Sequence, residues 1–550
     1  MGTAPAALSG SARALLFGAL AWAFDASGGV RFVDATDESG LDFTHLSGMT
    51  GELWTLEIIG AGVGILDYDG DGRMDLWLVQ GGPLVGRATA ELPSDRLFRN
   101  VGEPGELAFE DVTERAGIAA TGYGMGIATA DVDSDGDTDV FLANYGANEL
   151  WLNLGDGGFR DATADSGIVG ERWSISASIA DVDGDGLLDL YVANYLDFAI
   201  DTAKPCRLAG QRSYCPPSRF PGVGDRLYRN LGGGRFQDVT VPAGIDAARA
   251  AGMGVIADDF DDDGHVDFYV ANDGSANVLW INDGTGRFTD TALRAGAAVN
   301  GAGSAEASMG VTAADFDADG DSDLFVTHDT GETNTLYVNH GRGTFEDRTD
   351  IAGLAAGSLA FTGFGTGWVD VDNDGDLDLF AANGTVRFVP RQLAASAGPP
   401  LRQRNQLWLN DGTRYRRAEG GPAFALEHAS RGTAFGDLDN DGDIDMVVAN
   451  NHTRARLYRN DTPRASWLGV IVDAGTSPPI GARVWIDRPG IGPGRVRTDG
   501  SYASAHDPRV VFGLGLANEP RSVTVRWPDG VERQFGPLPV NRYHILRKAR

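Results

Sequence analysis

A nine-residue acidic pattern recurs seven times along this chain of 550 residues. The first copy reads DYDGDGRMD, from Asp67 to Asp75, and every copy carries aspartate at positions 1, 3, 5 and 9 and glycine at position 6. Such spacing curls the acids around one point, and the glycine permits the sharp turn. Calcium prefers about six to eight oxygen ligands from carboxylates, carbonyls and water. The pattern therefore predicts Ca2+ as the cofactor, at up to seven sites.

We number the copies loop 1 to loop 7 in chain order. The predicted metal ligands are the four aspartates of each loop: Asp67, Asp69, Asp71 and Asp75 in loop 1; Asp131, Asp133, Asp135 and Asp139 in loop 2; Asp181, Asp183, Asp185 and Asp189 in loop 3; Asp259, Asp261, Asp263 and Asp267 in loop 4; Asp315, Asp317, Asp319 and Asp323 in loop 5; Asp370, Asp372, Asp374 and Asp378 in loop 6; Asp437, Asp439, Asp441 and Asp445 in loop 7. For any single copy the alternative is a solvated turn, because Asp and Gly are favoured in turns.

The residues around the loops indicate β-hairpins. An EF-hand closes with glutamate at position 12 and continues into a helix, whereas position 12 is apolar in all seven copies here. The runs that follow position 9, such as LWLV and LYVA, combine aromatic and branched residues over a few positions, which is typical of buried strands. Segments before the acids, such as GVGIL, have the same character, so each loop is predicted at a hairpin tip.

Each repeat has a second half that predicts two more strands. RLFRN from position 96 and FEDVT from position 109 exemplify them, and four antiparallel strands make one blade of a β-propeller. The last repeat lacks its Phe-led strand, while an orphan FVDAT begins at Phe32. Pairing the two would close the ring and remove its open edges. We predict an all-β chain: a seven-bladed β-propeller over residues 31–461, followed by a small C-terminal β-sandwich.

The long insertions predict where a partner binds. The acidic hairpins join the first and second strands, so insertions at 81–95, 195–225, 297–307 and 384–405 fall on the opposite rim. Long loops on a rigid scaffold commonly carry recognition. We expect a monomer that binds a protein or glycan ligand on this rim.

Charge separates the chain into two parts. The formal net charge is −33, which makes nucleic acid an unexpected partner. Residues 462–550 carry instead a net charge of +6, and such asymmetry marks a second domain. Alternation in SVTVRW and ARVWI predicts that residues 465–550 form the β-sandwich. Its excess arginine either docks on the acidic propeller, faces an anionic partner or simply keeps the domain soluble.

The N-terminus and the cysteines bear on cellular location. Residues 1–28 place Arg13 before an apolar stretch, as in a signal peptide, with a disordered leader as the alternative. No later segment reaches the roughly 18 apolar residues of a membrane helix. Cys206 and Cys215 predict a local disulfide in an exported protein; a zinc site lacks nearby histidine, and free thiols remain if the leader is not a signal. We expect a secreted, periplasmic or cell-surface protein.

Taken together, these motifs resemble the FG-GAP or VCBS repeat propellers, whose calcium hairpins also occur in integrin α-subunit heads. From Trp467 onward, PPIGARVWI, FGLG and WPDG are similar to the ASPIC and UnbV domain. The combination resembles the cartilage acidic protein family and related bacterial exported proteins, some of which lie in natural-product gene sets, notably for enediynes. The resemblance implies calcium ligation by positions 1, 3, 5 and 9 with a backbone carbonyl from position 7, and an extracellular binding or adhesion role.

Signs of catalysis are few. The chain contains no G-x-S-x-G, HExxH or P-loop motif, and the nearest acid–imidazole candidates are His328 with Asp329 and His45 with Glu57. We therefore predict no enzyme, but an exported calcium-binding adhesion or recognition module. The alternative is an accessory protein or enzyme of extracytoplasmic or natural-product biosynthesis, of the enediyne type, with a site assembled in the central channel.

Overall fold

Short antiparallel β-strands make up nearly all of the regular structure, which confirms the all-β prediction. The structure is a computed structural model that describes residues 29–84, 92–208, 210–388, 391–392, 401–412, 414–463, 465–475 and 478–548. The predicted leader, residues 1–28, lies outside the described residues, as do parts of three predicted rim insertions. Within the described ranges, no helix has the length and apolar character needed to cross a membrane.

Seven four-stranded antiparallel sheets follow one another along the chain, each built around one acidic loop. The strands are, for sheet 1, Val63–Leu66, Asp75–Leu78, Arg96–Asn100 and Phe109–Asp111; sheet 2, Tyr123–Ala130, Asp139–Ala147, Glu149–Asn153 and Phe159–Asp161; sheet 3, Glu171–Ala180, Asp189–Asn194, Arg226–Asn230 and Phe236–Asp238; sheet 4, Gly252–Asp258, Asp267–Asn272, Val278–Asn282 and Phe288–Asp290; sheet 5, Val311–Ala314, Asp323–Val326, Thr335–Asn339 and Phe345–Asp347; sheet 6, Gly363–Val369, Asp378–Asn383, Gln406–Asn410 and Tyr415–Ala418; sheet 7, Ser430–Gly436, Asp445–Asn450, Arg456–Asn460 and Phe32–Asp34. Sheets 2 and 3 are also joined where Glu171–Trp173 pairs with Tyr145–Ala147.

The sheets form a closed ring. The first strand of each sheet contacts the first strand of the next, and the first strand of sheet 7 contacts that of sheet 1. The N-terminal strand, which the sequence analysis pairs with the last repeat, lies antiparallel to Arg456–Asn460, with Phe32 opposite Asn460. Because this strand comes from the other end of the chain, it covers the edge that sheet 7 would otherwise expose.

Apolar side chains from neighbouring sheets share each core. Between sheets 1 and 2, for example, Trp77 and Phe159 meet edge-on with ring centroids 5.4 Å apart, and Leu97 and Val140 lie in the same buried cluster. Comparable clusters join the other neighbours, including sheets 7 and 1. The core is therefore distributed around the ring, one layer between each pair of sheets.

Short helices and minor strand pairs connect the sheets. Four-residue α-helices often follow the fourth strand of a sheet, and two-stranded pairs lie in the insertions. The α-helices are Thr163–Ser166, Thr240–Ala243, Ala292–Ala295, Thr349–Ala352 and Ala355–Ser358; the 3-10 helices are Thr55–Ile58, Pro217–Arg219, Ile245–Ala247 and Pro422–Ala425; the strand pairs are Cys206–Leu208 with Gln211–Ser213 and Gln403–Arg404 with Glu427–His428.

The C-terminal part folds as two sheets around a core of its own. One sheet has the strands Ser466–Asp473, Val510–Gly515 and Tyr543–Arg547, and the other has Arg483–Ile486, Gly494–Arg495, Arg521–Arg526 and Glu532–Leu538. Leu468, Val484, Phe512 and Trp527 belong to one buried cluster. We call this part the sandwich.

One stretch of the C-terminal part leaves the sandwich and enters the ring. This axial segment, residues 497–507, runs past the first strands of the sheets: the Ala505 N–H donates to Val63 O at 3.0 Å, and the N–H groups of Ile127 and Val311 donate to Ala503 O and Ser501 O at 3.3 and 2.9 Å. It also bonds to sheets 3, 4, 6 and 7 through Ser176, Ala257, Thr366 and Phe435. The segment therefore contacts all seven sheets and occupies the centre of the ring.

Small residues make this insertion possible. A Cβ on Gly62 would lie 2.1 Å from Ala503 O, and a Cβ on Gly432 would lie 2.4 Å from Ser504 Oγ. The GVG and GMG sequences of the first strands therefore leave room for the axial segment. The sequence analysis assigned this segment to the sandwich and did not anticipate its position.

Candidate metal sites

All seven acidic loops lie at hairpin tips, between the first and second strands of their sheets, and each second strand begins at position 9. In loop 1 the N–H groups of Asp71 and Gly72 donate to Asp67 Oδ1 and Oδ2 at 3.1 and 2.9 Å. Gly72 has a φ of +83°, in the left-handed region that glycine adopts without a Cβ penalty. This closure turns the acids of the loop toward one point.

The aspartate at position 9 is almost completely buried in every loop. Asp75 and Asp323 are each 0% exposed, and Asp75 accepts backbone N–H groups from Tyr68 at 3.0 Å and Asn100 at 2.7 Å. Burial raises the pKa of Asp75 to about 8 and that of Asp323 to about 9. A nearby positive charge would stabilise the anion of a carboxyl buried in this way.

The carboxylate oxygens at position 3 bear on whether a cation fits the loops. The Oδ1 atoms of Asp69, Asp183 and Asp261 are buried without a hydrogen-bond partner, an arrangement that costs free energy unless the oxygen finds another partner. In loops 1 to 5, three carboxylates place one oxygen each within 4.8 Å of one another: Asp67, Asp69 and Asp71; Asp131, Asp133 and Asp139; Asp181, Asp183 and Asp189; Asp259, Asp261 and Asp263; Asp315, Asp317 and Asp323. Hard oxygen donors in a glycine-hinged loop fit Ca2+.

The sequence analysis missed a set of asparagines that connect the loops. The Asn100 N–H donates to the position-9 acid of its own sheet, and its Nδ2 donates 2.7 Å to Leu438 O, at position 2 of loop 7. Asn153 Nδ2 makes the same bond to Tyr68 O of loop 1 at 2.8 Å. The equivalent inter-sheet bonds come from Asn230, Asn282, Asn339 and Asn460. Their signal is the asparagine that ends every segment of the RLFRN type.

Arginines neutralise part of loops 1 and 3. Arg99 Nε lies 2.6 Å from Asp69 Oδ2, and Arg99 Nη2 lies 2.9 Å from Asp71 Oδ2. Arg229 Nη2 lies 2.6 and 3.1 Å from the acids at positions 3 and 5 of loop 3. Both arginines extend from the third strand of their own sheet.

The sandwich lies against loops 4 to 7. Arg483 Nη2 is 3.4 Å from Asp259 Oδ2 in loop 4, and the backbone of Gly492 approaches Asp315 so closely that an added Cβ would lie 2.6 Å from its carbonyl oxygen. At loop 6, the Gly515 N–H donates to Asn373 O at 2.7 Å. At loop 7, the Tyr543 hydroxyl donates to Asp437 Oδ2 at 2.7 Å. Of the three possibilities for the excess arginine, the structure shows docking on the acidic ring.

Asp258 is the centre of this docking. It is 1% exposed and forms ion pairs with Arg495, with Arg497 at 3.2 Å and with Arg483 at 3.7 Å. Burial alone would raise the pKa of Asp258, but the three arginines hold that pKa below its usual value. Because all four side chains are largely buried, each charge depends on the others for neutralisation.

The cysteine prediction is confirmed, whereas the acid–imidazole candidates do not form pairs. Cys206 and Cys215 form a disulfide with an S–S distance of 2.13 Å. The Glu57 carboxylate accepts a hydrogen bond from Thr50 Oγ1 at 2.9 Å, while His45 Nδ1 accepts the N–H of His452. His328 is 1% exposed, and its Nε2 lies 3.6 Å from Glu306. Burial lowers the pKa of His45 and of His328 to about 3.

Fold and site define a class: a closed ring of repeated acidic hairpins with a C-terminal sandwich docked on it. Residues 67–142, 131–192, 259–326 and 315–381 match the FG-GAP-like repeat, and residues 473–550 match the ASPIC and UnbV domain. The chain belongs to the FG-GAP/VCBS repeat family with a C-terminal ASPIC/UnbV domain, the cartilage acidic protein-like family.

Individual relatives show how far the similarity extends. The chain is 29% identical over 316 residues to cartilage acidic protein 1 of Mus musculus, which covers 54% of this chain and 44% of the relative. The corresponding values for Homo sapiens are 28% over 316 residues, 54% and 43%. The match thus spans less than half the length of these relatives. A solved Agrocybe aegerita lectin that recognises non-reducing terminal N-acetylglucosamine is 16% identical, with a TM-score of 0.39 over 65% of this chain and 79% of the lectin.

Proposed function

We propose that this protein is an exported recognition module: a seven-bladed β-propeller with calcium in its acidic hairpins and a protein or glycan ligand on the opposite rim. Domain boundaries at residues 31–461 and 465–550 belong to the same proposal, with residues 497–507 of the second domain reaching into the first. The observation that carries it is the repeated pairing of a buried position-9 acid with an unpartnered position-3 oxygen.

Calcium would act as a structural counter-ion. The four aspartates of each loop would hold it, together with the position-7 carbonyl that the family resemblance implies, and its charge would stabilise their anions. Since asparagines connect six of the loops to a neighbouring sheet, an ordered loop also orders the contact between sheets. On this account, calcium contributes to the stability of the ring rather than to chemistry.

The arrangement of the two domains supports a ligand site on the opposite rim. The sandwich lies against loops 4 to 7, and the axial segment occupies the centre of the ring. The channel and this part of the hairpin face are therefore engaged within the chain. The rim carries the disulfide loop and aromatic side chains, including the half-buried Tyr214 and Phe388, whose rings lie 5.4 Å apart. Aromatic residues on a rigid frame suit protein and glycan recognition.

The disulfide supports export, because such bonds persist in oxidising compartments and are rare in the cytosol. The filled channel supports a binding role over the alternative of an enzyme or biosynthetic accessory protein with a channel site. Backbone groups of the first strands make most of the contacts of the axial segment, and serine side chains of sheet 3 add to them. The centre of the ring is therefore occupied by the chain itself.

Thermal unfolding with and without metal tests the calcium proposal. The purified protein is expected to contain calcium by elemental analysis, and its Tm should fall by about 10 °C or more in excess EGTA, because a ligand of the folded state stabilises it by mass action. Re-addition of Ca2+ should restore the original Tm, whereas Mg2+ serves as the control ion. An unchanged Tm in EGTA, together with absence of metal, contradicts the proposal.

Capture experiments test the ligand site. The calcium-loaded chain is used as bait in the extracellular medium of the source organism and on a glycan array. A variant with Tyr214→Ser and Phe388→Ser on the rim should lose the captured ligand, whereas Val169→Ser, at a residue 61% exposed beside sheet 3, is the control. Equal capture by all three proteins would place the ligand elsewhere.

A further inference from the structure

We propose that the seven loops form unequal calcium sites, and that Arg99 and Arg229 make loops 1 and 3 the weak ones. The inference rests on the proposed calcium function and adds an order of occupancy to it. Loops 1 and 3 should fill last as calcium rises and empty first as it falls. The two arginines, rather than the aspartates that all loops share, would set this difference.

The two arginines lie at equivalent positions beside loops 1 and 3. Arg99 contacts Asp69 and Asp71, and Arg229 contacts Asp183 and Asp185, so each guanidinium lies on the acids of positions 3 and 5. In both loops it reaches Oδ2 of the position-3 acid, while Oδ1 of the same carboxylate has no hydrogen-bond partner. A cation can therefore be held by Oδ1 with the arginine still in place, but next to a fixed positive charge.

Loops 2, 5 and 6 provide the contrast. Where Arg99 stands in sheet 1, they have an aliphatic residue: Leu152, Val338 and Leu409. They also carry a fifth aspartate at position 7: Asp137, Asp321 and Asp376. In the described part of the chain, no arginine or lysine forms an ion pair with the carboxylates of these three loops. Loop 1, by comparison, has Arg73 at position 7, paired with Asp71.

Charge then decides the order of affinity. Each of loops 2, 5 and 6 offers five carboxylates to a divalent cation, whereas loop 1 offers four carboxylates beside two arginines and loop 3 offers four beside one. A unit charge a few ångströms from a bound cation opposes binding, to an extent that solvent and salt reduce. For a partly exposed arginine we expect about a tenfold loss of calcium affinity at low ionic strength. Loops 4 and 7 are left out of the comparison because side chains of the sandwich reach their position-1 carboxylates. At loops 5 and 6 the sandwich approaches the loop backbone instead.

Sheet 7 supplies a matched control. Arg459 occupies the same place in RLYRN as Arg99 in RLFRN, but its ion pairs are with acids outside the loop. Its Nε lies 2.7 Å from Asp461, and its Nη1 lies 2.8 Å from Glu38. Replacing Arg459 thus changes the same residue type at the same register without releasing a position-3 acid.

The experiment measures calcium bound per chain in the full-length protein across a series of free calcium concentrations set by chelator buffers. The double variant R99L/R229L introduces the aliphatic residue found in the other loops, and R99K/R229K retains the charge. The leucine variant should bind two more calcium ions at low free calcium, with affinity at those two sites raised about tenfold. R459L and the lysine variant should follow the wild-type curve, and added salt should narrow the difference.

The outcomes separate this inference from the proposed function. If the wild type binds calcium in one uniform class and R99L/R229L leaves the curve unchanged, the arginines do not grade the sites, although the calcium proposal stands. If the wild type binds no calcium at any concentration, the proposed function fails first. A melting curve of R99L/R229L in saturating calcium checks that the variant is folded; an increase in bound calcium for R459L as large as for R99L/R229L would also overturn the inference.

Discussion

Loops 4 to 7 and loops 1 to 3 share one sequence pattern but have different surroundings. The first group lies under the sandwich, where Arg483 and Tyr543 reach the position-1 acids of loops 4 and 7. In the second group no side chain of the sandwich pairs with a loop carboxylate among the described residues, although Ile480 packs against the core between sheets 2 and 3. Two loops of this group are paired with arginines of their own sheets. The comparison teaches that the repeated motif determines the shape of a loop, whereas its neighbours determine how the negative charge is balanced.

The two groups also differ in what they connect. Loops 1 to 3 link neighbouring sheets, through asparagines such as Asn153. Loops 4, 6 and 7 have the same links, and loops 4 to 7 in addition form the platform for the second domain. The covered half of the ring is therefore expected to be the more stable half, because its loops lose more contacts when they open.

The largest effect should come from the axial segment, which leaves the sandwich and enters the centre of the ring. Replacement of residues 499–505 by a Gly/Ser sequence of equal length removes the bonds to the first strands and leaves the sandwich in place. We expect Tm to fall by more than about 10 °C in saturating calcium, since each lost kcal/mol shifts Tm by roughly 2–4 °C in domains of about 150–250 residues. Replacement of the four surface residues 516–519 by Gly/Ser is the control, and an equal Tm for both variants would show that the ring does not depend on its occupied centre.

The next largest loss of stability should come from the interface between the ring and the sandwich. Asp258→Asn leaves three arginines near an uncharged residue, and loss of one partner from a buried ion pair costs about 3–5 kcal/mol. Differential scanning calorimetry should show this destabilisation. Asp473→Asn removes the partner of Arg547 in an ion pair at the surface of the sandwich and should cost about 0–1 kcal/mol. Similar values for the two variants would contradict the assignment of Asp258 as the centre of docking.

A smaller effect should appear in the rate of calcium release, which should differ between loops 1 to 3 and loops 4 to 7. The measurement is the rate of calcium release after rapid mixing with excess chelator. Calcium is expected to leave loops 1 to 3, the open loops, at least about tenfold faster than loops 4 to 7, the covered loops. Release from the covered loops requires local opening beneath the sandwich. Asp139→Asn disables open loop 2 and should reduce the fast phase, whereas Asp323→Asn disables covered loop 5 and should reduce the slow phase. A single phase that both variants reduce equally would remove the distinction.

The smallest effect should be confined to loop 7. Tyr543→Phe deletes the hydroxyl that donates to Asp437 and should cost about 1 kcal/mol, the usual net value of one hydrogen bond. Thermal melting in calcium should show a Tm lower by roughly 2–4 °C. The matched control is Tyr145→Phe, which removes a hydrogen bond of 3.3 Å on the opposite rim. In the calcium-release experiment, Tyr543→Phe should accelerate the slow phase, whereas Tyr145→Phe should leave it unchanged.

The hairpins were predictable because they depend on residues close together in the chain. Alternation, glycine at position 6 and apolar runs after position 9 place the strands. The disulfide was predictable for a similar reason, since the chain has only two cysteines and they lie nine positions apart. The different roles of the aspartates could not be predicted from the pattern, because positions 3 and 9 are both aspartate. In the structure Asp75 is buried, whereas Asp69 forms an ion pair with Arg99.

The amino-acid sequence by itself determined the number of acidic loops, their closure at glycine, the strands beside them and the change of charge at the C-terminal part. Only the tertiary structure decided that residues 497–507 occupy the ring, that Asp258 collects three arginines and that the loops have unequal neighbours. The physical reason is the range of the interactions. Turn geometry and strand periodicity act over a few residues, whereas a contact such as that of Thr498 with Thr129 joins segments that the sequence places hundreds of positions apart.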